Sequence, residues 1–141
     1  MKFLRNPAWL AVIVSVLAIA VIYALYLKAP PRWVAVGEYV DSTVYADPNS
    51  IRKKGDMVKI WDLQDYKRVI VSDRLQVLSL REQLEFDCKK ERVRMLFRSV
   101  FHHPMADGNE LKSEGDGTGG AWSPVSPTSI EGGLLKFACR T

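Results

Sequence analysis

The chain has 141 residues, with 20 lysines and arginines against 16 aspartates and glutamates for a formal net charge of +4, and two cysteines. That length supports one small domain, and the cysteines stand neither in a CxxC pair nor near histidines at metal-ligand spacing. Lys2 and Arg5 precede the first apolar run, so everything after that run carries 18 basic against 16 acidic residues, a net +2 and too weak a field for a nucleic-acid binder.

Residues 8–27 read AWLAVIVSVLAIAVIYALYL, an unbroken apolar run with Pro7 before it, Lys28 behind it and Ser15 as its strongly polar side chain. As a helix, roughly 20 residues rising ~1.5 Å each reach ~30 Å, the hydrocarbon thickness of a bilayer. Trp9 near one end, with Tyr23 and Tyr26 near the other, suits the headgroup zones. The run is expected to be a single transmembrane signal anchor, with residues 1–7 as its cytoplasmic leader. A cleaved signal peptide is the alternative, because Lys2 and Arg5 precede the run. Its best small-x-small site, Ala18-Ile19-Ala20, would leave VIYALYL as a new apolar N-terminus, and no cysteine stands near the end of the run to receive a lipid. Lys2 and Arg5 on one side nearly balance Lys28 and Arg32 on the other, so the positive-inside rule is silent. Cys88 and Cys139 bear on orientation instead. A disulfide between them persists only in an oxidising compartment and puts the domain outside the cytoplasm; the other reading is two reduced, buried thiols.

After the run, residues 28–32 (KAPPR) form a short stiff spacer, since consecutive prolines stay extended. Residues 33–45 alternate apolar and polar with β-branched and aromatic side chains, which predicts one or two strands. Asp47-Pro48-Asn49-Ser50 and Lys54-Gly55-Asp56 read as turns, with Ile51 between them as a plug into the core. Residues 57–66 are strand-like, and Lys67-Arg68 with Ser72-Asp73 bracket the apolar Val69-Ile70-Val71. Residues 75–88 read as the central strand: Leu78, Leu80, Leu84, Phe86 and Cys88 share the inward parity, Ser79, Arg81, Gln83, Glu85 and Asp87 the outward one, and Glu82 breaks the inner row. Residues 92–101 alternate again, with Val93, Met95 and Phe97 on one side and Arg92, Arg94 and Arg98 on the other, predicting an antiparallel hairpin. Residues 102–120, with glycines crowded into 115–120, are expected to be a mobile loop. In the last stretch Ser126 is the expected cap of a helix with Pro127 at its first position and Glu131 near its positive end. Ile130, Leu134, Phe137 and Ala138 recur at helical spacing, and a Cys88–Cys139 bond would pin this helix across the sheet.

The order of Trp33, Tyr45-Ala46-Asp47, Ser50-Ile51-Arg52, Gly55, Val58-x-Ile60-Trp61-x-Leu63-x-Asp65-Tyr66, Ser79, Glu85-Phe86-Asp87-Cys88, Trp122-x-Pro124-Val125 and Ala138-Cys139 resembles the surface-adhesin protein E family of bacterial envelopes. The resemblance covers residues 33–141. It implies a non-catalytic binding domain with a small antiparallel sheet, a C-terminal helix and one disulfide, able to bind matrix and serum proteins and to form a homodimer. The chain departs from the family in having an apolar anchor run and no lipoprotein cysteine. The expectation is therefore an inner-membrane, single-pass protein with its C-terminal domain in the periplasm. The expected fold class is α+β: a small antiparallel β-sheet with a C-terminal helix packed on it and one disulfide, preceded by a single N-terminal transmembrane helix.

Constellations for chemistry are sparse. His102-His103 with Asp107 suggests metal or acid-base work, but adjacent residues of a strand point to opposite faces, and an exposed loop pair is the plainer reading. Ser79 has no nucleophile motif around it, and Gly115-Asp-Gly-Thr-Gly-Gly120 lacks the lysine and helix start of a phosphate loop. No enzyme activity and no cofactor or metal are expected. The binding candidate is a basic stripe: Lys90, Arg92, Arg94 and Arg98 at even positions of one strand, extended by Arg81 on its neighbour. Such a face attracts lipid headgroups, acidic polysaccharide or an acidic protein patch, unless Glu85 and Asp87 sit opposite and neutralise it. Two classes follow: a membrane-tethered binding module for a protein or polyanionic ligand, or a structural subunit of an envelope assembly recruited through the membrane helix.

Overall fold

A computed structural model describes residues 7–27 and 32–140, with side chains of the first segment described over residues 12–22. The expected leader up to residue 6 and spacer residues 28–31 lie outside the described residues. Residues 1–31 and 32–141 are separate units. In the first, the apolar run is one helix, α1 (Pro7–Leu27, 21 residues), without charge in its first or last turn. Its described large side chains are exposed all round, from Ile13 at 44% to Ile22 at 67%. Among the residues with described side chains, which take in 12–22 of α1, no helix is long and apolar enough to cross a membrane.

The second unit is an antiparallel meander of β1 (Val34–Glu38), β2 (Ser42–Lys54), β3 (Met57–Ser72), β4 (Leu75–Asp87), β5 (Arg92–Phe101) and β6 (Glu110–Glu114), each strand paired to the next. A short β7 (Ser123–Pro124) adds to β5, and α2 (Ile130–Arg140) closes the chain. The turns follow from local chemistry. Gly55, at φ +61, reverses β2 into β3, and Asp73 and Arg74, at φ 51 and 66, make the two-residue left-handed turn that suits the twist of a hairpin.

The turn expected at residues 47–50 is instead a bulge inside β2. Its turn chemistry is present: Asn49 N–H donates to Asp47 Oδ1 (3.0 Å) and the Ser50 hydroxyl to the Asp47 carbonyl (2.7 Å). Ser50 Oγ then accepts the Trp61 N–H (2.8 Å), replacing a ladder bond while the register slips between Asp47 and Arg52. The strand therefore continues, and Ile51 packs against the core as expected.

That core lies between α2 and one face of the sheet: Val44, Ala46, Val58, Ile60, Leu84, Phe86 and Val93 meet Leu134 and Ala138. Ser129, not Ser126, caps the helix, its Oγ accepting the Gly132 N–H (3.1 Å), because Pro127 and Thr128 turn the chain first. Gly132 is required here, since a Cβ would lie 2.3 Å from the Ser126 carbonyl. At the far end Cys139 is bonded to Cys88 just past β4, with Cα atoms 5.8 Å apart. The pair closes a loop of 51 residues, for which chain entropy gives ~4 kcal/mol.

Three expectations need correction. The outward parity of β4 is not a water face, for Ser79, Glu85 and Asp87 are as buried as the apolar row. Residues 102–109 fold back over it, and arginines of β5 lie across the carboxylates. Second, β5 does not keep one parity. Gln83 pairs with Phe97 but Leu84 pairs with Met95, leaving Leu96 as a bulged residue, and Phe97 and Arg98 swap faces relative to the first half of the strand. Third, residues 110–114 are a strand, and the glycine run is laid against β5 rather than free. Gly117 N and Gly120 N donate to the Leu96 and Met95 carbonyls, and at Gly115 (φ +101) a Cβ would lie 2.1 Å from Leu96 O.

Candidate functional site

The ladder register defines a row across the helix side of the sheet: Val34, Ala46, Asp62, Glu82, Arg98 and Glu114. Arg98 donates from Nε to Glu82 (2.5 Å) and from Nη1 to Glu114 (3.5 Å). Asp62, only 1% exposed, is directly paired with Glu82, and its Oδ1 has no hydrogen-bond partner among the described residues. Burial first, then the negative charges of Glu82 and Glu131, push the Asp62 carboxyl well above the ordinary range. Burial raises Glu82 as well, against the pull of Arg98, and burial and the Glu82 charge raise the Tyr66 phenol. Beside Asp62 lies a groove of about 660 Å³, where Tyr66, Leu80, Glu82 and Arg98 of the sheet face Ile130 and Glu131 of α2. The groove exists because α2, at 11 residues, is too short to cover the whole face.

The opposite face carries matched charges and rings. Arg92 is 3.0 Å from Asp87, Arg94 is 2.5 Å from Glu85, and both guanidiniums lie 4.6 Å from the Trp122 ring centroid. Burial pushes Asp87 up, but hydrogen bonds from Lys90 N–H and the Arg92 side chain outweigh it and hold the carboxyl below the ordinary range. Arg81 lies over Trp61 (5.1 Å) and Phe101 (5.8 Å). The expected basic stripe is thus divided: Arg81, Arg92 and Arg94 share this face, Lys90 sits in the β4–β5 turn, and the Leu96 bulge sends Arg98 to the helix side. Glu85 and Asp87 stand beside Arg94 and Arg92 in the register, where each offsets one of the face's cations and leaves Arg81 and the adjoining Lys90.

His102 and His103 are exposed, with ring centroids 5.4 Å apart, and His102 Nδ1 lies 3.0 Å from the Gln76 carbonyl. Among the described residues no group of His, Cys, Asp and Glu is placed to hold a metal ion. Ser79 is a staple: its hydroxyl donates to the His103 carbonyl (2.5 Å) and accepts the Ala106 N–H (2.9 Å), tying the 3₁₀ turn Pro104–Ala106 onto the sheet. The residues that the sequence reading passed over are Asp62, Trp61, Phe97 and Trp122. Asp62 had a signal, for it shares the parity of the inward Val58 and Ile60.

The second unit is an α+β domain, an antiparallel meander stapled to one short helix, and among its described residues no metal centre is assembled. Residues 33–140 match the family model of surface-adhesin protein E, and the chain belongs to that family. Solved structures of Haemophilus influenzae protein E share the fold. Its crystal form II superposes with a TM-score of 0.61 at 10% identity, covering 80% of this chain and 91% of that one. The selenomethionine form gives 0.58 at 11% identity, covering 81% and 90%. The protein from a non-typeable strain gives 0.54 at 11% identity, covering 80% and 78%. No curated protein is matched significantly in sequence.

Proposed function

We propose that this chain is a membrane-tethered, non-catalytic binding module of the bacterial envelope, with residues 32–141 on the oxidising side of the inner membrane and α1 as the single-pass anchor. The observation that carries the binding role is the family match over residues 33–140. The anchor is supported by α1 itself, a helix of 21 residues whose described apolar side chains are exposed on every side, a surface that lipid accepts and water does not. The periplasmic placement is supported by the Cys88–Cys139 bond, which a reducing cytoplasm would not maintain.

Its ligand is a protein or polyanionic component of the envelope, met where Arg81, Arg92 and Arg94 of the sheet face adjoin the exposed Lys90 of the β4–β5 turn, with Glu85 and Asp87 offsetting part of that charge. Joint Arg92→Ser and Arg94→Ser replacement is expected to lower retention on heparin or anionic vesicles. Arg98→Ser, on the other face, is expected to leave it unchanged. Equal retention by all variants removes the polyanion assignment. Fractionation with protease access tests the anchor: recovery of the mature protein free in the periplasm, beginning at Val21, overturns it. The exposed sides of α1 also favour a second reading, a subunit of an envelope assembly recruited through the membrane helix. Pull-down with the full chain against residues 32–141 separates the two, since partners lost with α1 belong to an assembly and partners kept belong to the module. Cross-linking in the same experiment scores homodimers.

A further inference from the structure

Beyond the charged stripe, the middle of the face opposite α2 holds a depression of different character. Trp61 of β3 and Phe97 of β5 flank Gln83 of β4 in the register, and their rings approach to 6.4 Å between centroids at 15° between planes. Neither ring is closed off: both are half-buried and both line a depression of about 380 Å³ with Ser99, Glu110, Ser113 and Gly115. The Ser99 and Ser113 hydroxyls lie beside the Glu110 carboxylate and hold it below the ordinary range, and the charge of Arg81 adds to that effect. Arg81 itself has a buried Nε–H without an acceptor among the described residues.

Aromatic surface, a carboxylate acceptor and two hydroxyls therefore meet in one place, with the Arg81 guanidinium behind the Trp61 ring. The charges beside it balance, Arg81 and Arg98 against Glu110 and Glu114. A quaternary amine would want surplus negative charge beside the rings, and a polyanion surplus positive charge; balance favours a neutral ligand rich in hydroxyls. A pyranose has the matching chemistry, with apolar C–H faces for the rings and hydroxyls that both donate and accept.

We propose that the depression bordered by Trp61, Phe97, Ser99, Glu110 and Ser113 is a subsite for a neutral pyranose unit of an envelope glycan. The envelope source rests on the function proposed above; the sugar chemistry does not.

The test is titration of the full chain in detergent with chitotetraose, maltotetraose, a heparin tetrasaccharide and a trimethyl-lysine peptide, followed by tryptophan fluorescence and by the indole N–H signals in NMR. Saturable shifts of the Trp61 indole with a neutral tetrasaccharide at or below about 10 mM are expected, with Trp122 unmoved. Preference for chitotetraose points to an amino-sugar glycan of the cell wall, and preference for maltotetraose to a glucan. Trp61→Ala should abolish the shift. Glu110→Gln, on an exposed strand and therefore safe for folding, should weaken binding by about tenfold. Shifts with the heparin fragment or the methylated peptide alone, silence from both neutral sugars, or a Glu110→Gln protein that binds them as well as the parent would each overturn the proposal. Silence from the sugars leaves the pull-down and fractionation results standing, so the two readings fail separately.

Discussion

Beneath α2, the row from Val34 to Glu114 sets the carboxylates of Asp62, Glu82 and Glu114 against the guanidinium of Arg98, with Glu131 added from the helix. On the other face Arg92 and Arg94 each have a carboxylate of their own and share a tryptophan ring. Both faces bury acidic groups, but in opposite protonation regimes. At Asp62, and at Glu82 in spite of Arg98, burial outweighs counter-charge and drives the carboxyl toward its neutral form; at Asp87 the Lys90 N–H and the Arg92 side chain outweigh burial. The helix side is thus an apolar core with a protonatable flaw, and the open side a lattice of ion pairs and rings with a recess in it.

Removing the staple tests that division most severely. Cys88→Ser with Cys139→Ser frees the C-terminal end of α2, and the expected loss is ~4 kcal/mol, read as a shift of the urea midpoint that the oxidised parent lacks. A parent whose midpoint is the same with and without reductant would show that packing alone holds the helix. Leu134→Ala comes next. Leu134 is fully buried against Ile60, Phe86 and their neighbours, so a loss of about 3 kcal/mol is expected from the cavity it leaves. The tryptophans on the far face should report unchanged surroundings in that variant.

Asp62 sharpens the comparison by sign. Its folded-state pKa lies above its unfolded one, so between the two the native protein binds more protons, and its contribution to stability is present at low pH and lost as pH rises above the ordinary carboxylate range. Asp87 runs the other way: its carboxyl is depressed, and its contribution is lost as pH falls through that range. Asp62→Asn should therefore flatten the decline in stability above the ordinary carboxylate range and raise stability at the upper end of the decline. Asp87→Asn should lower stability at neutral pH while leaving the acid limb flatter. Chemical denaturation across that range checks both, and an Asp62→Asn protein with the parent's slope would mean that the carboxyl is ionised in the native state.

The strands of residues 34–101 were legible because half-buried strands alternate, and the family resemblance rested on that stretch together with Trp33, Trp122-x-Pro124-Val125 and Ala138-Cys139. What escaped were the places where the count slips. Met95-Leu96-Phe97 puts apolar residues side by side, the trace of a bulge, yet a strict period of two carried Arg98 to the wrong face. β6 (ELKSE) is exposed at every position and so has no buried row to betray it; β5 orders it through backbone pairing. The glycines of 115–120 looked like freedom in sequence, whereas Gly115 is there because the backbone of Leu96 leaves no room for a Cβ. Of the candidate site, the charges were visible but not their partition between faces, since that depends on a single unpaired residue.

The smallest expected effect lies on the open face. Arg94→Ser removes a half-exposed partner from Glu85 and one of the cations beside Trp122, but Lys59 remains 3.9 Å from the same carboxylate. Solvent screening and that second cation limit the expected loss to ~1 kcal/mol, smaller still at high salt. Lys59→Ser together with Arg94→Ser should cost more than the sum of the single changes, because Glu85, at 7% exposure, would then be buried without a counter-charge. Strict additivity in that double-mutant cycle would mean that water, rather than the lysine, replaces the arginine.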